Sequence, residues 1–401
     1  MNSDETLRLF STSKPRRSHN GYVSSIWTFD PAEDVSYAGH TIYRWYGTLA
    51  GPLVGRLLDL YAEADDAAVW DPMCGVGTSL VEARLRGIGA EGFDGNPLAV
   101  LISTLKLDAH PGAVAEVVDA LHTVRHSVMT ESREGVADFP DESFAYARKW
   151  FNEPSLHRLL HVADAVARLE VPTRLSRLLL VALAAAVRDV AEVDARCTHH
   201  LVRKRKPYTD ALPLLESKAL GLAEAVSRIP LRERGAEVRV FQGSYLDDPV
   251  GRPTLAIVHP PYLGVIHYNL IHRLSTELLR FLQETSAPQA LDGLNFNPDA
   301  LRSADVSTDA DARYDDFLVQ LATRLEQVLG EGSRAVVIMG DARHKGLLRH
   351  PFTRVVELME SQKFGLEENF IWILQNNGGM HVLRRGHHID HNYILVFRRA
   401  A

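Results

Sequence analysis

The sequence is poor in cysteine and lacks any long apolar run. It has 2 cysteines in 401 residues, too few for a disulfide framework or a cysteine-based zinc site. No run approaches the ~20 apolar residues that a membrane span needs, and the acidic N-terminus has no signal-peptide pattern. We therefore expect a cytoplasmic protein without a membrane partner. The net charge of −7 does not indicate a nucleic-acid binder, although local basic patches decide that property rather than the total.

The alternation of strand and helix patterns favours an α/β protein. Hydrophobic residues make up 46% of the chain and charged residues 24%, which is typical of a globular protein. The patterns predict a doubly wound sheet with a largely helical insertion and a terminal antiparallel hairpin. We expect an N-terminal arm (1–39), mobile over Met1–His19, then a core built from 40–109 and 232–401. The insertion (110–231) contains four segments of helical periodicity.

The most informative stretch is an apolar strand that ends in two prolines. Residues Leu255–Val258 are continuously apolar, which predicts a buried parallel strand. His259, Pro260, Pro261 and Tyr262 follow, and the strand must end there because proline cannot donate to a sheet ladder. Ligands of open α/β sheets bind at the carboxyl ends of the strands. We therefore expect this stiff, aromatic-tipped loop to face a substrate.

A strand, a glycine-rich turn and a helix precede that loop in the chain. The predicted strand Ala67–Trp70 runs into Asp71–Thr78. There Gly75 and Gly77 let the backbone approach a ligand, and the following helix offers free N–H groups. The spacing matches neither a P-loop nor a G-x-G-x-x-G phosphate cradle. The next strand ends in Asp94, whose carboxylate can accept hydrogen bonds from ribose hydroxyls. This pattern predicts a nucleotide-type cofactor site.

Two basic stretches are candidates for phosphate contacts. The nucleic-acid-binding candidates are Arg203, Lys204, Arg205 and Lys206 in the insertion, and Arg384 and Arg385 near the C-terminus. A solvated loop explains the first stretch equally well. The second stretch lies beside glycines, which suits contacts with a groove or with phosphates.

Several motifs in chain order resemble those of the DNA amino-methyltransferases, which use S-adenosylmethionine to methylate cytosine N4 or adenine N6. Residues 71–83 resemble the family's cofactor loop DPFCGSGTTLVEA, and residues 94–99 resemble D-x-NPLA. HPPY at 259–262 resembles the catalytic (S/D/N)PPY. The segments 340–346 and 391–398 resemble the later GD-x-R-x-x-G and HEYILVFRK segments. The aromatic run 43–46 resembles the family's N-terminal motif, although Tyr46 stands where lysine is frequent. The resemblance covers most of residues 40–399.

The resemblance implies a Rossmann-like methyltransferase sheet, S-adenosylmethionine as cofactor, and a base flipped out of duplex DNA as substrate. The catalytic positions are then His259, Pro260, Pro261 and Tyr262, with Tyr262 stacking on the flipped base. The cofactor-binding positions are Asp71, Pro72, Cys74, Gly75, Gly77, Thr78, Asp94, Asn96, Pro97 and Ser244. Ser244 stands where the family frequently has aspartate, which puts the contact with the adenine amine in doubt.

His259 departs from the family pattern, which has serine or threonine in cytosine-type enzymes and aspartate or asparagine in adenine-type enzymes. A neutral imidazole can accept one hydrogen bond from the target amine, whereas an imidazolium cannot. If His259 makes that contact, activity should fall near the ordinary histidine pKa of ~6.5. An equally good interpretation is that the ring faces away and that backbone carbonyls alone hold the amine hydrogens.

Three functions remain open from the sequence. The first is a DNA amino-methyltransferase of the restriction-modification type, with cytosine N4 favoured over adenine N6. The second is an RNA guanine-N2 methyltransferase with a similar loop; such enzymes usually have an additional N-terminal RNA-binding domain, and about forty residues precede the core here. The third is a catalytically impaired homologue that binds DNA or cofactor. Target recognition is expected in the insertion, in Thr285–Asp311 or in Asn376–His388, and the oligomeric state is open.

Overall fold

One large sheet organises the protein. The computed structural model describes residues 10–17, 23–29, 37–45, 47–62, 67–130, 145–194, 201–230, 236–262, 268–297, 310–344, 347–373 and 391–401. Its strands are β1 (Phe10–Arg17), β2 (Val23–Phe29), β3 (Ala68–Asp71), β4 (Gly89–Asp94), β5 (Val238–Gln242), β6 (Leu255–Val258), β7 (Arg334–Gly340), β8 (Ala342–His344), β9 (Leu347–Arg349), β10 (Phe364–Ile373) and β11 (His391–Arg399). Nine strands form the sheet in the order β1-β2-β10-β11-β7-β6-β3-β4-β5, and β8 and β9 pair separately.

The central strands β5, β4, β3, β6 and β7 run parallel to one another. Strand β11 is antiparallel to both of its neighbours, β7 and β10, so the predicted terminal antiparallel pair is confirmed. From β3 the chain winds outward through β4 and β5 in one direction and through β6 and β7 in the other. Because the strand order reverses between β3 and β6, a ligand crevice is expected at their carboxyl ends.

Helices cover both faces of the sheet. They are α1 (Gly51–Tyr61), α2 (Thr78–Arg86), α3 (Pro97–Leu107), α4 (Ala113–Thr130), α5 (Glu153–Ala167), α6 (Thr173–Val190), α7 (Ala211–Ser227), α8 (Arg273–Thr285), α9 (Ala310–Val328) and α10 (Pro351–Ser361). Ile257 of β6 packs in one buried cluster with Leu57 of α1, whereas its neighbour Val258 packs in another with Leu325 of α9. This alternation, with full burial of both strand residues, confirms the doubly wound α/β fold.

Helices α4 to α7 form the insertion between β4 and β5, as the periodicity predicts. They share one buried apolar cluster with α3 and α8. Helix α6 is buried along most of its length, which explains its apolar sequence. The insertion thus has no separate core, because α3 and α8 of the core belong to the same cluster. Its boundaries at residues 110 and 231 therefore stay a prediction.

The N-terminal segment adds strands that the sequence did not predict. The expectation of a mobile Met1–His19 is wrong for residues 10–17, which form β1 and pair with β2. Strand β2 in turn pairs in parallel with β10. Its Trp27 is buried, and the ring centroid lies 4.2 Å from that of Phe370. Burial of this indole against the sheet offsets the entropy that ordering the segment costs.

A further difference concerns the helix predicted from Ile266 to Leu282. It consists of a turn, Tyr268–Ile271, and helix α8, separated at His272, while residues 263–267 lie outside the described part of the chain. None of the helices described combines the length and apolar character that crossing a bilayer requires.

Candidate active site

The carboxyl end of β3 leads directly into the glycine turn. The buried carboxylate of Asp71 accepts hydrogen bonds from the Met73 N–H at 3.1 Å and from the Ser79 hydroxyl. These bonds join the end of the strand to the first turn of α2, and so fix the loop between them. Burial raises the pKa of Asp71 to about 7.

The two glycines of the turn adopt a backbone conformation that other residues disfavour. Gly75 has φ 52° and Gly77 has φ 75°. A Cβ on Gly77 would lie 2.7 Å from the Ser103 hydroxyl of α3. Glycine is therefore required at this position twice, by the left-handed conformation and by the close approach of α3.

Cys74 lies inside the loop and is buried. Burial raises the pKa of its thiol well above the usual value, so the thiol is protonated and not poised as a nucleophile. Among the residues that the structure describes, no group of histidine, cysteine and acidic side chains could hold a metal ion.

Asp94 connects the end of β4 to the glycine turn. Its Oδ2 accepts from the Gly75 N–H at 2.9 Å, and its Oδ1 accepts from the Asn96 N–H at 2.8 Å. Each carboxylate oxygen keeps a second lone pair for another donor. Burial raises the pKa of Asp94 to about 6, so the side chain is mostly ionised at neutral pH.

Two buried polar atoms at the start of α2 and α3 have no hydrogen-bond partner. Asn96 caps α3 by accepting from the Leu98 N–H at 3.0 Å, and Pro97 occupies the first turn of that helix. The Asn96 Nδ2 and the Thr78 Oγ1 are buried without a hydrogen-bond partner. Because buried polar groups are normally paired, these two atoms suit a ligand that supplies an acceptor and a donor.

The predicted adenine contact, Ser244, has its groups engaged in a local turn. Its N–H donates to Asp247 Oδ2 at 2.7 Å, and its hydroxyl accepts from the Leu246 N–H at 3.2 Å. Asp247 lies close to the end of β5, since a Cβ on Gly243 would be 2.5 Å from its Oδ2. The Gly243 N–H donates to the Asp94 carbonyl at 3.1 Å. A carboxylate, that of Asp247, thus lies at the end of β5 three residues after position 244.

The HPPY loop begins where β6 ends, as predicted. His259 Nε2 lies 3.0 Å from the Tyr262 hydroxyl, which donates to Asn392 Oδ1 of β11 at 2.9 Å. Tyr262 is 7% exposed, whereas Pro261 lies at the surface and Pro260 is buried. The ring of Tyr262 therefore packs in the protein, and its role in stacking on a base stays a prediction.

Burial also sets the charge of His259. It lowers the pKa of the imidazole to about 4, although a hydrogen bond with the Gly47 backbone acts in the opposite direction. The ring is therefore neutral over the physiological range. With this pKa, a hydrogen bond that His259 accepts from a target amine would be lost near pH 4 instead of pH 6.5, and the contact itself stays a prediction.

The segment that contains Trp45 bridges the glycine turn and the HPPY loop. A Cβ on Gly75 would lie 3.7 Å from Trp45 Nε1, and the indole stacks on His272 with a centroid distance of 4.1 Å. Two residues further, the backbone of Gly47 hydrogen-bonds His259. The structure thus brings the predicted cofactor loop and the predicted catalytic loop together at the carboxyl edge of the sheet.

The basic stretch of the insertion is only partly available to a ligand. Arg203 pairs with Glu192 at 2.7 Å, and the Lys206 ammonium donates to the last carbonyls of α6 at 3.0 and 3.3 Å. Lys204 and Arg205 are exposed. The bonds of Lys206 stabilise the free carbonyls at the end of α6, and a phosphate contact of Lys206 stays a prediction. Arg384 and Arg385 lie outside the described residues.

Four residues of this region escaped the sequence reasoning: Ser103 and Lys106 of α3, His272, and Asn392. A signal existed for the first two, since Ser103 and Lys106, together with Thr104, are the polar residues of a largely apolar helix. For Asn392 and His272 the contacts depend on tertiary structure alone.

Comparison with known proteins gives weak similarities. No known protein family's sequence model matches the chain, and no curated protein matches it. A protein assigned as a DNA modification methylase from Thermus thermophilus is 19% identical over 23% of this chain and 39% of its own, with a TM-score of 0.19. That protein has also been solved with S-adenosylmethionine. The matched region thus spans about two fifths of that protein's length.

The similarity to two other solved structures extends over most of both chains. A SAM-dependent methyltransferase from Methanosarcina mazei is 8% identical, covering 84% of this chain and 95% of its own, with a TM-score of 0.33. The rRNA methyltransferase AviRa from Streptomyces viridochromogenes is 12% identical, covering 91% and 93%, with a TM-score of 0.31. With TM-scores this low, none of these similarities indicates what the chain binds or transforms.

Proposed function

We propose that the protein is an S-adenosylmethionine-dependent methyltransferase that acts on an exocyclic amine of a DNA base, with cytosine N4 favoured over adenine N6. The observation that supports this most is the convergence of three motifs at one edge of the sheet. The glycine turn, Asp94 and the HPPY loop lie at the ends of β3, β4 and β6. Trp45 lies beside the glycine turn, and the backbone of Gly47 hydrogen-bonds His259 of the HPPY loop.

The residues of the cofactor site fit S-adenosylmethionine. The free lone pairs of Asp94 can accept from the two ribose hydroxyls, and the unpaired Asn96 Nδ2 can donate to an adenine nitrogen. Asp247 is better placed than Ser244 to accept from the adenine amine, since its carboxylate lies at the end of β5. When bound, the cofactor would supply an electrophilic methyl group.

The chain's own contribution to methyl transfer is positioning rather than acid–base chemistry. The lone pair of an exocyclic amine is delocalised into the base, and acceptors that hold the amine hydrogens draw it out of conjugation. A backbone carbonyl of the rigid Pro260–Pro261 loop can be such an acceptor. His259, with a pKa of about 4, is a weak base at neutral pH, and we assign it to holding the Tyr262 hydroxyl.

The exposed part of the basic stretch gives the proposal a DNA-contacting surface. Lys204 and Arg205 are free of the ion pair and cap that engage their neighbours Arg203 and Lys206. Affinity falls as salt concentration rises, and each phosphate contact contributes about 0.9 to the steepness of log affinity against log salt. The double variant Lys204→Ala/Arg205→Ala should therefore make this negative slope shallower by about 2. Arg252→Ala is the control, because Arg252 precedes β6 at the end away from the HPPY loop, and it should leave the slope unchanged. An unchanged slope in the double variant would exclude this surface as a DNA contact.

A labelling experiment tests the proposed function. The full chain is incubated with methyl-labelled S-adenosylmethionine and either unmethylated duplex DNA or total RNA, and the product is digested to nucleosides. We expect label in DNA, on N4-methyldeoxycytidine, and loss of label in the Asp94→Ala variant. Label confined to RNA supports the RNA guanine-N2 methyltransferase, and cofactor binding without transfer to either polymer supports the catalytically impaired homologue. Either result would contradict the proposal.

A further inference from the structure

Helix α3 carries a lysine in an unusual environment. Lys106 is 1% exposed, and its ammonium donates to the Val76 carbonyl at 2.8 Å. Among the described residues, no carboxylate forms an ion pair with this ammonium. Burying an ammonium without a carboxylate partner is costly, and burial lowers the pKa of Lys106 to about 7. Because burying this ammonium costs free energy, we expect Lys106 to have a functional role.

A second side chain of the same helix holds the preceding peptide. The Ser103 hydroxyl donates to the Gly75 carbonyl at 2.9 Å. Residues three positions apart on a helix lie on the same face, so Ser103 and Lys106 approach the glycine turn together. Two successive carbonyls of the turn, those of Gly75 and Val76, are thus drawn towards α3.

Fixing these carbonyls also fixes the N–H groups of the same peptides. In a trans peptide the C=O and the N–H point in opposite directions. The Val76 N–H must therefore point away from Ser103 and α3. The Gly77 N–H also points away, and it closes the turn on the Cys74 carbonyl at 2.9 Å. The Gly75 N–H is held separately by Asp94.

We propose that Ser103 and Lys106 are positioning residues of the cofactor loop, which hold the Gly75 and Val76 carbonyls so that the Val76 N–H faces the ligand. The inference rests on the proposed function, because the ligand is taken to be S-adenosylmethionine or its product. An anionic group, such as the carboxylate at the methionine end of that cofactor, is the partner that an oriented N–H and the adjoining start of α2 favour.

Binding of S-adenosylhomocysteine to the full chain tests this inference. The dissociation constant is measured by calorimetry, with Trp45 fluorescence as a second signal because its indole lies beside Gly75. We expect Ser103→Ala to weaken binding about fivefold and Lys106→Met about tenfold or more, since hydrogen bonds from charged donors contribute more than neutral ones. Thr104→Val is the matched control, because that hydroxyl bonds only within α3, to Val100.

Thermal unfolding and steady-state kinetics distinguish positioning from mere structural support. Replacing a buried charge by methionine can leave a fold equally stable or more stable, so we expect Lys106→Met to lose affinity without a lower melting temperature. The KM for S-adenosylmethionine should rise with the loss of affinity while kcat is retained. Folded variants that bind as tightly as the wild type would overturn the inference, and Ser103→Ala decides alone if Lys106→Met does not fold. Failure of the wild type to bind would instead refute the proposed function.

Discussion

Lowering the pH should weaken cofactor binding through Asp94. In the proposed function the ribose hydroxyls of the cofactor donate to the ionised carboxylate, so binding should be favoured above the pKa of this group and lost as the pH falls through it. Burial places that pKa at about 6 instead of the ordinary 3.8. Ionisation of Asp94 therefore falls from about nine tenths at pH 7 to about one tenth at pH 5.

The expected loss of affinity is about tenfold between pH 7 and pH 5, since affinity follows the ionised fraction. A carboxylate of ordinary pKa would remain about nine tenths ionised at pH 5, and affinity would then change by only about a tenth. Calorimetric titration with S-adenosylhomocysteine measures this directly. The ligand's own amino and carboxyl groups titrate outside the window.

The Asp94→Asn variant separates this effect from that of Asp71, whose pKa burial raises to about 7. It keeps a similar shape and one acceptor but cannot titrate, so any pH dependence that remains belongs to the other buried groups beside the cofactor loop, Asp71 and Lys106, whose pKa values burial shifts to about 7. We expect weaker binding in this variant and loss of most of the dependence. The reasoning would be refuted by a wild-type affinity that stays constant from pH 7 to pH 5. It would also be refuted if the affinity of Asp94→Asn fell with pH as steeply as that of the wild type.

Three further predictions concern the two loops. With saturating cofactor, the single-turnover rate should be flat from pH 8 to pH 6, since a pKa of about 4 leaves about 1% of His259 protonated at pH 6; a decline near pH 6.5 argues against this. Gly77→Ala should weaken cofactor binding at least tenfold, because φ is 75° and the new Cβ would lie 2.7 Å from α3. Its control, Gly221→Ala in the interior of α7, has open space around the Cβ and should raise stability by about 0.5–1 kcal/mol. Asn392→Ala, which removes the acceptor of the Tyr262 hydroxyl, should slow methyl transfer about three- to tenfold at unchanged cofactor affinity; an unchanged rate excludes this role.

Strands with a strong local signal could be predicted, whereas strands defined by a partner could not. The run Leu255–Val258 is continuously apolar and ends at prolines, and β6 has those bounds. In contrast, Phe10–Arg17 is rich in serine, threonine and basic residues, with no apolar stripe. It becomes a strand because β2 pairs with it and extends the sheet beside β10, and this is tertiary information.

The same distinction applies to the candidate site. The glycine turn and Asp94 were visible as local patterns at the ends of strands, and the structure joins them by the hydrogen bond between the Gly75 N–H and Asp94. Asn392 was not visible, because its contact with Tyr262 spans 130 positions of the chain. The contact of the Lys206 ammonium with the end of α6 was not visible either, because the two carbonyls lie 18 and 17 positions earlier in the chain.

The position of the insertion has a consequence for how the chain folds. The N–H of Ala68 in β3 donates to the hydroxyl of Thr254, which directly precedes β6 and lies 186 positions later in the chain. Helices α4 to α7 of the insertion are synthesised between the two strands. During synthesis, the edge of β3 that pairs with β6 therefore stays unpaired until β6 has been made, while local helical contacts in the insertion can already form. Such an edge is prone to aggregation. Fragments that end before Leu255 should accordingly accumulate as insoluble material, and a chaperone that shields β3 should raise the yield of the full chain.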